Sequence, residues 1–294
     1  MSDTADAGPA RPGEIAQALA LLDSVFLRAR GREGTIAARY APLFAANSPA
    51  RLEVARHAGR AVAATVSRPF VLRAGTAAHA GSMVGFVATR PEHRGAGHAS
   101  RLVGRAVEAA RAQGSAFCVL WTTTPGFYRR LGWRAGDCGI ACEAPALAGG
   151  SAPSPTEEVA QVEALAGHTL EMRVERDPSW YSVVPVSATR VRCFVTGPRG
   201  APQAYAIVGE SAGTRYVYEL GGSDAGMLEL FSRLRADGRN MVVNARQGDA
   251  FHRLSATAQD LAWRAQQLAM WLPLVPALDD IASRGWHVPW YDRI

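Results

Sequence analysis

The stretch Arg94-Gly95-Ala96-Gly97-His98-Ala99 sets small residues and basic side chains directly before a segment with helical apolar spacing. A helix N-terminus presents amides that lack intrahelical partners, and the helix dipole makes that end positive, so it attracts anions. Small residues would let a pyrophosphate lie against those amides, with Arg94 adding charge. On its own the stretch is equally a glycine turn that holds nothing. Two familiar phosphate motifs are excluded. A Walker loop needs a lysine, and all 32 permanently cationic side chains of this chain are arginines. A dinucleotide-binding fingerprint needs its glycines straight after a strand and an acidic residue ending the next strand. Here residues 90–94 intervene, and the next apolar run, "AFCVLWTT", ends in threonines.

A second stretch, "WTTTPGFYRRLGW", follows that run and contains Phe127-Tyr128-Arg129-Arg130-Leu131-Gly132-Trp133. Arg94-x-x-Gly97-x-Ala99 before a helix, then Phe-Tyr-x-x-Leu-Gly-Trp about thirty residues on, resembles the GCN5-related N-acetyltransferase (GNAT) superfamily over residues 13 to 142. The entry "VATRPEHRG" is similar to the family's approach to its pyrophosphate loop.

The resemblance implies an acetyl-CoA-dependent N-acetyltransferase. Acetyl-CoA or another acyl-CoA would be the cosubstrate, no metal would be needed, and an amine of a small molecule or peptide would be the acceptor. The amides of Gly95, Ala96, Gly97, His98 and Ala99 would cradle the coenzyme A pyrophosphate. The strand edge around Phe86, Val87 and Thr89 would pair with the pantetheine arm. Phe127 would pack on the coenzyme, and Arg129 or Arg130 would meet its phosphates. Tyr128 matches the position that often protonates the departing thiolate, and a phenol of ordinary pKa near 10 suits that duty; as an alternative it is a packed aromatic tethering a short helix. Many relatives deprotonate the amine with a glutamate on this strand or the next, but "GSMVGFVAT" has no carboxylate. Glu92 falls in the phosphate loop. His79 and the chain's own C-terminal carboxylate at Ile294 are weaker candidates, and water-relayed deprotonation is compatible, so the base is left open.

The elements that must position these residues are legible from periodicity. Ile15, Ala18, Leu19, Leu22 and Phe26 recur at helical spacing over 13–29, and a second helix is expected over 34–46. Extended segments follow at 52–57, 61–72 and 77–89, with hairpin turns at Gly59 and Gly75. A helix over 97–113 ends at Gly114, a buried strand covers 116–122, a short helix 125–131, and a last strand 133–142. A meander followed by a strand–helix–strand crossover makes a mixed α/β sheet with helices on its faces.

The Ala/Gly/Pro/Ser-rich stretch 143–156 reads as a linker. Beyond it the same order recurs faintly: helix 157–167, strands 190–196, 203–210 and 215–220, helix 224–236, then strand "NMVVNAR". The expected organisation is a disordered lead-in over 1–12, a catalytic GNAT domain over 13–142 and a degenerate GNAT-like domain over 157–294. In that second half "ELGGSDAGMLELF" stands where the phosphate loop would be, with Glu219 in place of a basic residue and Asp224 as an ordinary N-cap. Such a half could wall the acceptor pocket or form a contact in a homodimer. The run "RGWHVPWYDRI" either forms a strand with Trp286, Trp290 and Tyr291 in the second core or reaches the active cleft. Trp180 and Tyr181 invite the same two readings.

Composition is that of a globular domain, 48% hydrophobic and 20% charged. With no membrane-length apolar run and no signal-peptide h-region, a cytoplasmic protein without a membrane partner is expected. Cys138 and Cys142 lack the further ligands of a zinc site. A net charge of +6 spread over scattered arginines, not gathered with aromatics into a stripe, argues against nucleic-acid binding.

Overall fold

The computed structural model describes residues 6–147, 155–156, 159–198, 201–236, 238–256, 258 and 260–294. Helix α1 (Pro12–Phe26) starts where expected, with proline in its first turn and the Glu14 carboxylate accepting from the Arg11 amide at 2.8 Å. Its buried face, Ala18, Leu21 and Leu22, covers the first sheet. The second expected helix is two single turns, α2 (Ile36–Arg39) and α3 (Ala41–Phe44), because Tyr40 leaves helical geometry and Pro42 cannot donate across the break. Strands β2 (Arg51–His57), β3 (Arg60–Ala74) and β4 (Ala77–Thr89) form the meander, turning at Gly59 and Gly75 with φ of 74° and 59°. Helix α4 (His98–Ala112) then leads to β5 (Phe117–Trp121), which runs parallel to β4, and to the short α5 (Pro125–Arg129).

Residues Ala7–Pro9 form β1, antiparallel to β2 in register Ala7↔Ala55 to Pro9↔Glu53, within the segment expected to be a disordered lead-in. Three residues are too few to show period two, and the anchoring is electrostatic: Arg56 on β2 reaches Glu14 at 2.6 Å and Asp6 at 3.6 Å.

The segment expected as the last strand of the first half divides. Arg134–Ala135 (β6) stays with the first sheet, whereas Gly139–Ala144 (β7) crosses into a second one. There it lies antiparallel to β13 (Met241–Arg246). In return β15 (Ala269–Pro273) comes back from the far end of the chain and lies antiparallel to β5, Ala269↔Trp121 to Pro273↔Phe117. The halves thus trade strands. An apolar run announces burial but not which sheet edge it will meet.

The remaining elements are β8 (Pro155–Thr156), α6 (Val159–Thr169), β9 (Met172–Val174), β10 (Arg190–Thr196), β11 (Ala204–Ser211), β12 (Thr214–Gly222), α7 (Asp224–Arg235), α8 (Ala250–Ser255) and β14 (Arg264–Ala265). The first sheet has the order β1-β2-β3-β4-β5-β15-β6, with β9 on the far end of β3; the second has β14-β7-β13-β12-β11-β10-β8. Each combines an antiparallel meander with one parallel pair, β4–β5 and β12–β13, so the fold is the mixed α/β arrangement the sequence predicts, in two units.

The main core lies between the units. Leu22, Ile36, Tyr40 and Phe86 of the first meet Tyr205, Ile207 and Tyr218 of the second. The other face of the first sheet is covered by α4, through Val103, Ala106 and Ala110 against Val84, Cys118 and Leu120. The C-terminal run is not a strand of the second sheet. Trp286 and Val288 pack with Phe117 and Trp271 on the first, and Tyr291 is buried between the sheets. No described helix is long and apolar enough to cross a membrane.

Because β15 belongs to the first sheet while the strand before it, β14, belongs to the second, the two units should unfold together. Trp271, buried on β15 with its indole N–H on the Gly136 carbonyl at 2.5 Å, is the natural probe. Trp271→Ala is expected to cost about 3–5 kcal/mol. Urea unfolding followed by tryptophan fluorescence and far-UV circular dichroism should remain one coincident transition, and two separated transitions would refute the coupling.

Candidate active site

The site begins with a fault in a strand. Along β3–β4, Val66 faces Gly85 and Ala64 faces Ala88, so Phe86 and Val87 together oppose the single residue Thr65. This is a β-bulge, and Phe86 within it has φ of +50°, in the left-handed region that side chains disfavour. Packing holds the strain: the Phe86 ring is edge-on to Phe26 at 5.2 Å and to Tyr40 at 5.0 Å. Thr65 fixes the near side by donating to the Gly85 carbonyl at 2.9 Å.

On its other edge β4 pairs with β5 only from Gly81↔Phe117 to Met83↔Val119. Beyond Met83 the two parallel strands diverge, and the β4 main chain through Phe86, Val87 and Thr89 borders a slot with no strand beside it.

Directly after β4, residues Pro91–His93 make a 3₁₀ turn and the chain enters α4 through Gly95 (φ +83°) and Gly97 (φ +77°). A Cβ built on either glycine would meet nothing within 4 Å. The glycines are therefore required by backbone conformation, while the space above them is open. Gly97 is the N-cap and no side chain caps the helix, which leaves its first amides facing that space. Arg94 is exposed beside the turn, 3.4 Å from the Thr89 carbonyl, and Ala96 and Ala99 add no bulk. His98 differs from its neighbours. Its side chain is buried 6.1 Å from His93 with Nδ1 unpartnered, so only its main chain belongs to the turn. Burial, with Arg101 and His93 close by, lowers its pKa.

Across the slot, α5 carries Phe127 and Tyr128 into the same apolar cluster as Val84, Val87 and Leu120. The Tyr128 ring is edge-on to Phe127 at 4.8 Å and to Trp133 at 6.2 Å, and its hydroxyl has no hydrogen-bond partner among the described residues. Burial pushes its pKa up to about 12, so the phenol keeps its proton throughout the neutral range. Arg130 is exposed at the end of α5.

The face opposite α4 is closed by the C-terminal run. A Cβ on Gly85 would overlap the main-chain carbonyl carbon and oxygen of Ile294, so the strand is flat at the point where Ile294 lies across it. The preceding Asp292 accepts from Arg176 at 2.9 and 2.7 Å, and Arg176 also donates to Glu219 on β12 at 3.0 and 2.5 Å. Of the two readings of the run, the structure supports the one in which it reaches β4. Trp180 and Tyr181 belong to the inter-sheet core, with Tyr181 donating to Glu163. His79 lies elsewhere. It pairs with Leu72 and sits 4.4 Å from the Trp286 ring, seven residues or roughly 20 Å along β4 from Phe86. Glu92 is exposed in the 3₁₀ turn.

In the second unit β12 and β13 also diverge after Val217↔Val243, with a cavity of about 130 Å³ at the divergence. The cradle is missing. Ser223, not Asp224, caps α7, its hydroxyl accepting from the Gly226 amide at 3.3 Å, and Glu219 is buried on Arg176 and Tyr205. Sequence reasoning passed over Gly85 and Arg176. A glycine inside a strand pattern is a legible sign of close backbone approach; an isolated arginine in a loop is not a sign of anything.

A bulged β4 diverging from a parallel β5, with a glycine turn into a helix at the mouth, defines an acyltransferase architecture in the first unit; the second repeats the sheet but not the turn. Residues 7–136 match the model of the acetyltransferase (GNAT) domain family. Among solved structures, the chain is similar to a protein from Enterococcus faecalis V583 described as a probable N-acyltransferase. The two share 14% identity with a TM-score of 0.73 over 92% of this chain and 72% of that one. It is similar also to a GCN5-related N-acetyltransferase from Anabaena variabilis ATCC 29413, at 17% identity and TM-score 0.69, over 90% of this chain and 72% of that one. A tandem GNAT protein from the clavulanic acid biosynthesis pathway is 14% identical with TM-score 0.54, covering 92% of this chain and 99% of that one. At such identities these are likenesses of fold. No curated protein matches the sequence. The family match covers the first unit, residues 7–136, and acyl transfer is the chemistry of that domain family.

Gly85→Leu is expected to push residues 290–294 off β4. Hydrogen exchange should quicken over that segment while α4 keeps its protection; unchanged exchange at 290–294 would show that the contact does not hold the run in place.

Proposed function

We propose that the first unit binds acetyl-CoA and transfers the acetyl group directly to a primary amine of a small molecule or peptide. The observation that carries this reading is the bulge at Phe86–Val87 beside the diverging β5, with the open turn 94–99 at its mouth. The amides of Gly95 to Ala99 would hold the pyrophosphate, with Arg94 and Arg130 supplying charge from the rim. The free β4 edge through Phe86, Val87 and Thr89 would hydrogen-bond the pantetheine amides as a strand would, and Phe127 would line the slot. Bound there, the coenzyme supplies the activated thioester.

The amine nitrogen attacks the thioester carbonyl, and main-chain amides at the bulge face the oxygen that becomes negative. As the tetrahedral intermediate collapses, the carbon–sulfur bond breaks and the thiolate takes a proton from Tyr128, whose raised pKa keeps that proton available. The proton lost by the amine goes to water. No carboxylate side chain of β4 is available to receive it, since the strand reads "AAHAGSMVGFVAT". That absence also favours a second reading, a protein that binds an acyl-CoA without turning it over.

Calorimetry with acetyl-CoA and with CoA, followed by thiol release across a panel of amines, separates the two. Binding with thiol release on at least one amine supports transfer; binding with release on none supports the second reading; no binding refutes both. Gly97→Glu is expected to weaken acetyl-CoA binding at least tenfold, because the carboxylate meets the pyrophosphate and φ of +77° disfavours any side chain. Tyr128→Phe should leave binding within about twofold and slow turnover by about 10²-fold or more, the usual worth of a general acid. Turnover unchanged in that variant would remove Tyr128 from the mechanism.

A further inference from the structure

Arg68 on β3 is a buried charge that nothing in the site above uses. It is 9% exposed, its Nη1 is sealed from solvent without a partner, and no described residue forms a hydrogen bond or ion pair with its guanidinium. The Trp180 ring lies 3.5 Å from the guanidinium carbon. The carboxylate that most favours its charge is Asp292, and both oxygens of Asp292 are committed to Arg176 at 2.9 and 2.7 Å. Burial lowers the Arg68 pKa to about 10, which still leaves it fully charged at neutral pH. Asp292 thus offsets the charge from a distance but leaves Nη1 without an acceptor, and a buried donor left unpaired requires an explanation.

The explanation lies in the cavity it lines. A cavity of about 610 Å³ opens between β3, the α3 turn and the 3₁₀ turn Pro178–Ser182. Leu43, Phe70 and Trp180 supply apolar walls, and Arg68 is the only cation among the lining residues. The rim carries two carboxylates already engaged: Glu175 pairs with Arg73 at 2.5 Å, and Asp177 accepts from the Ser179 amide at 2.9 Å. Their negative field opposes a ligand with two or more charges, such as phosphate, and tolerates one with a single charge placed deep on Arg68. The size and lining are those of a small-molecule pocket with one orienting polar group.

We propose that this cavity binds a small organic monocarboxylate with an apolar body, the carboxylate paired with Arg68 and the body against Leu43, Phe70 and Trp180. The site is separate from the slot between β4 and β5: its lining comes from β3 and the 41–49 and 175–182 segments, and includes no residue of β4, β5, α4 or α5.

Calorimetry with 3-phenylpropionate, hexanoate and phenylalanine as probes tests this, with 3-phenylpropanol and inorganic phosphate as controls. At least one monocarboxylate should bind saturably, about tenfold or more tighter than 3-phenylpropanol and than phosphate, and saturating CoA should not displace it. Arg68→Gln should weaken that binding at least tenfold. Asn47→Trp, which fills the mouth from an exposed position, should do the same with the melting temperature unchanged, and carries the test if Arg68→Gln fails to fold. The proposal is overturned if no monocarboxylate binds, if the alcohol or phosphate binds equally well, if CoA displaces the probe, or if Asn47→Trp leaves binding intact.

Discussion

One guanidinium ties three parts of the molecule together. Arg176 follows β9 on the rim of the first sheet, Glu219 belongs to β12 in the second, and Asp292 lies in the run that ends against β4. All three side chains are almost wholly buried. Burying an ion costs several kcal/mol, so the cluster is tolerable only with close, complete pairing. Burial works against the charged guanidinium, but the two carboxylates outweigh it and raise its pKa well above the ordinary value. An apolar replacement of the trio would fill the space but would not dictate where the C-terminal run goes. A buried charge with only one satisfactory arrangement does, and it sets Ile294 over Gly85.

The strand exchange acts in the same direction. With β15 on β5 and β7 on β13, neither sheet is complete without the other half of the chain. The bulge at Phe86 needs such backing. Its positive φ is sustained by the Phe26 and Tyr40 rings, and the Tyr40 hydroxyl in turn accepts from the Val186 amide at 3.2 Å, at the boundary with the second unit. The distortion of β4 is thus held by residues that run from Phe26 to Val186 in the sequence. The second half of the chain therefore backs the bulge both through Val186 and through Ile294 beside Gly85.

This division explains what could be read in advance. The meander, the crossover helix and the paired motifs around Gly97 and Tyr128 are local: each depends on periodicity, glycine conformation and residue type within thirty positions. Helix α7 and strands β10 to β13 were legible for the same reason. The exchange of β7 for β15 was not, because both runs are apolar and either sheet edge would bury them. The C-terminal run was ambiguous because three aromatics announce a core without saying which. Edge strand β1 was too short to show a pattern, and Ser223 beside Asp224 offered two capping residues one position apart. Arg68 and Arg176 look alike among 32 arginines. Only the folded chain distinguishes the one directly paired with two carboxylates from the one that has no direct ion pair among the described residues.

The comparison of the two units turns on Glu219. In the first unit the strand leading to the phosphate turn presents open main chain and an exposed Arg94. In the second, the strand leading to the corresponding turn points a carboxylate inward, where it accepts from Arg176 and from Tyr205 at 2.7 Å. A pyrophosphate at the α7 N-terminus would lie near that negative charge and would compete with the Ser223 cap for the same amides. Glu219 cannot be exchanged for a basic residue without leaving Arg176 facing another cation, with Asp292 as its one remaining carboxylate partner among the described residues. The closed turn before α7 and the path of the C-terminal run over β4 both depend on the same buried charges.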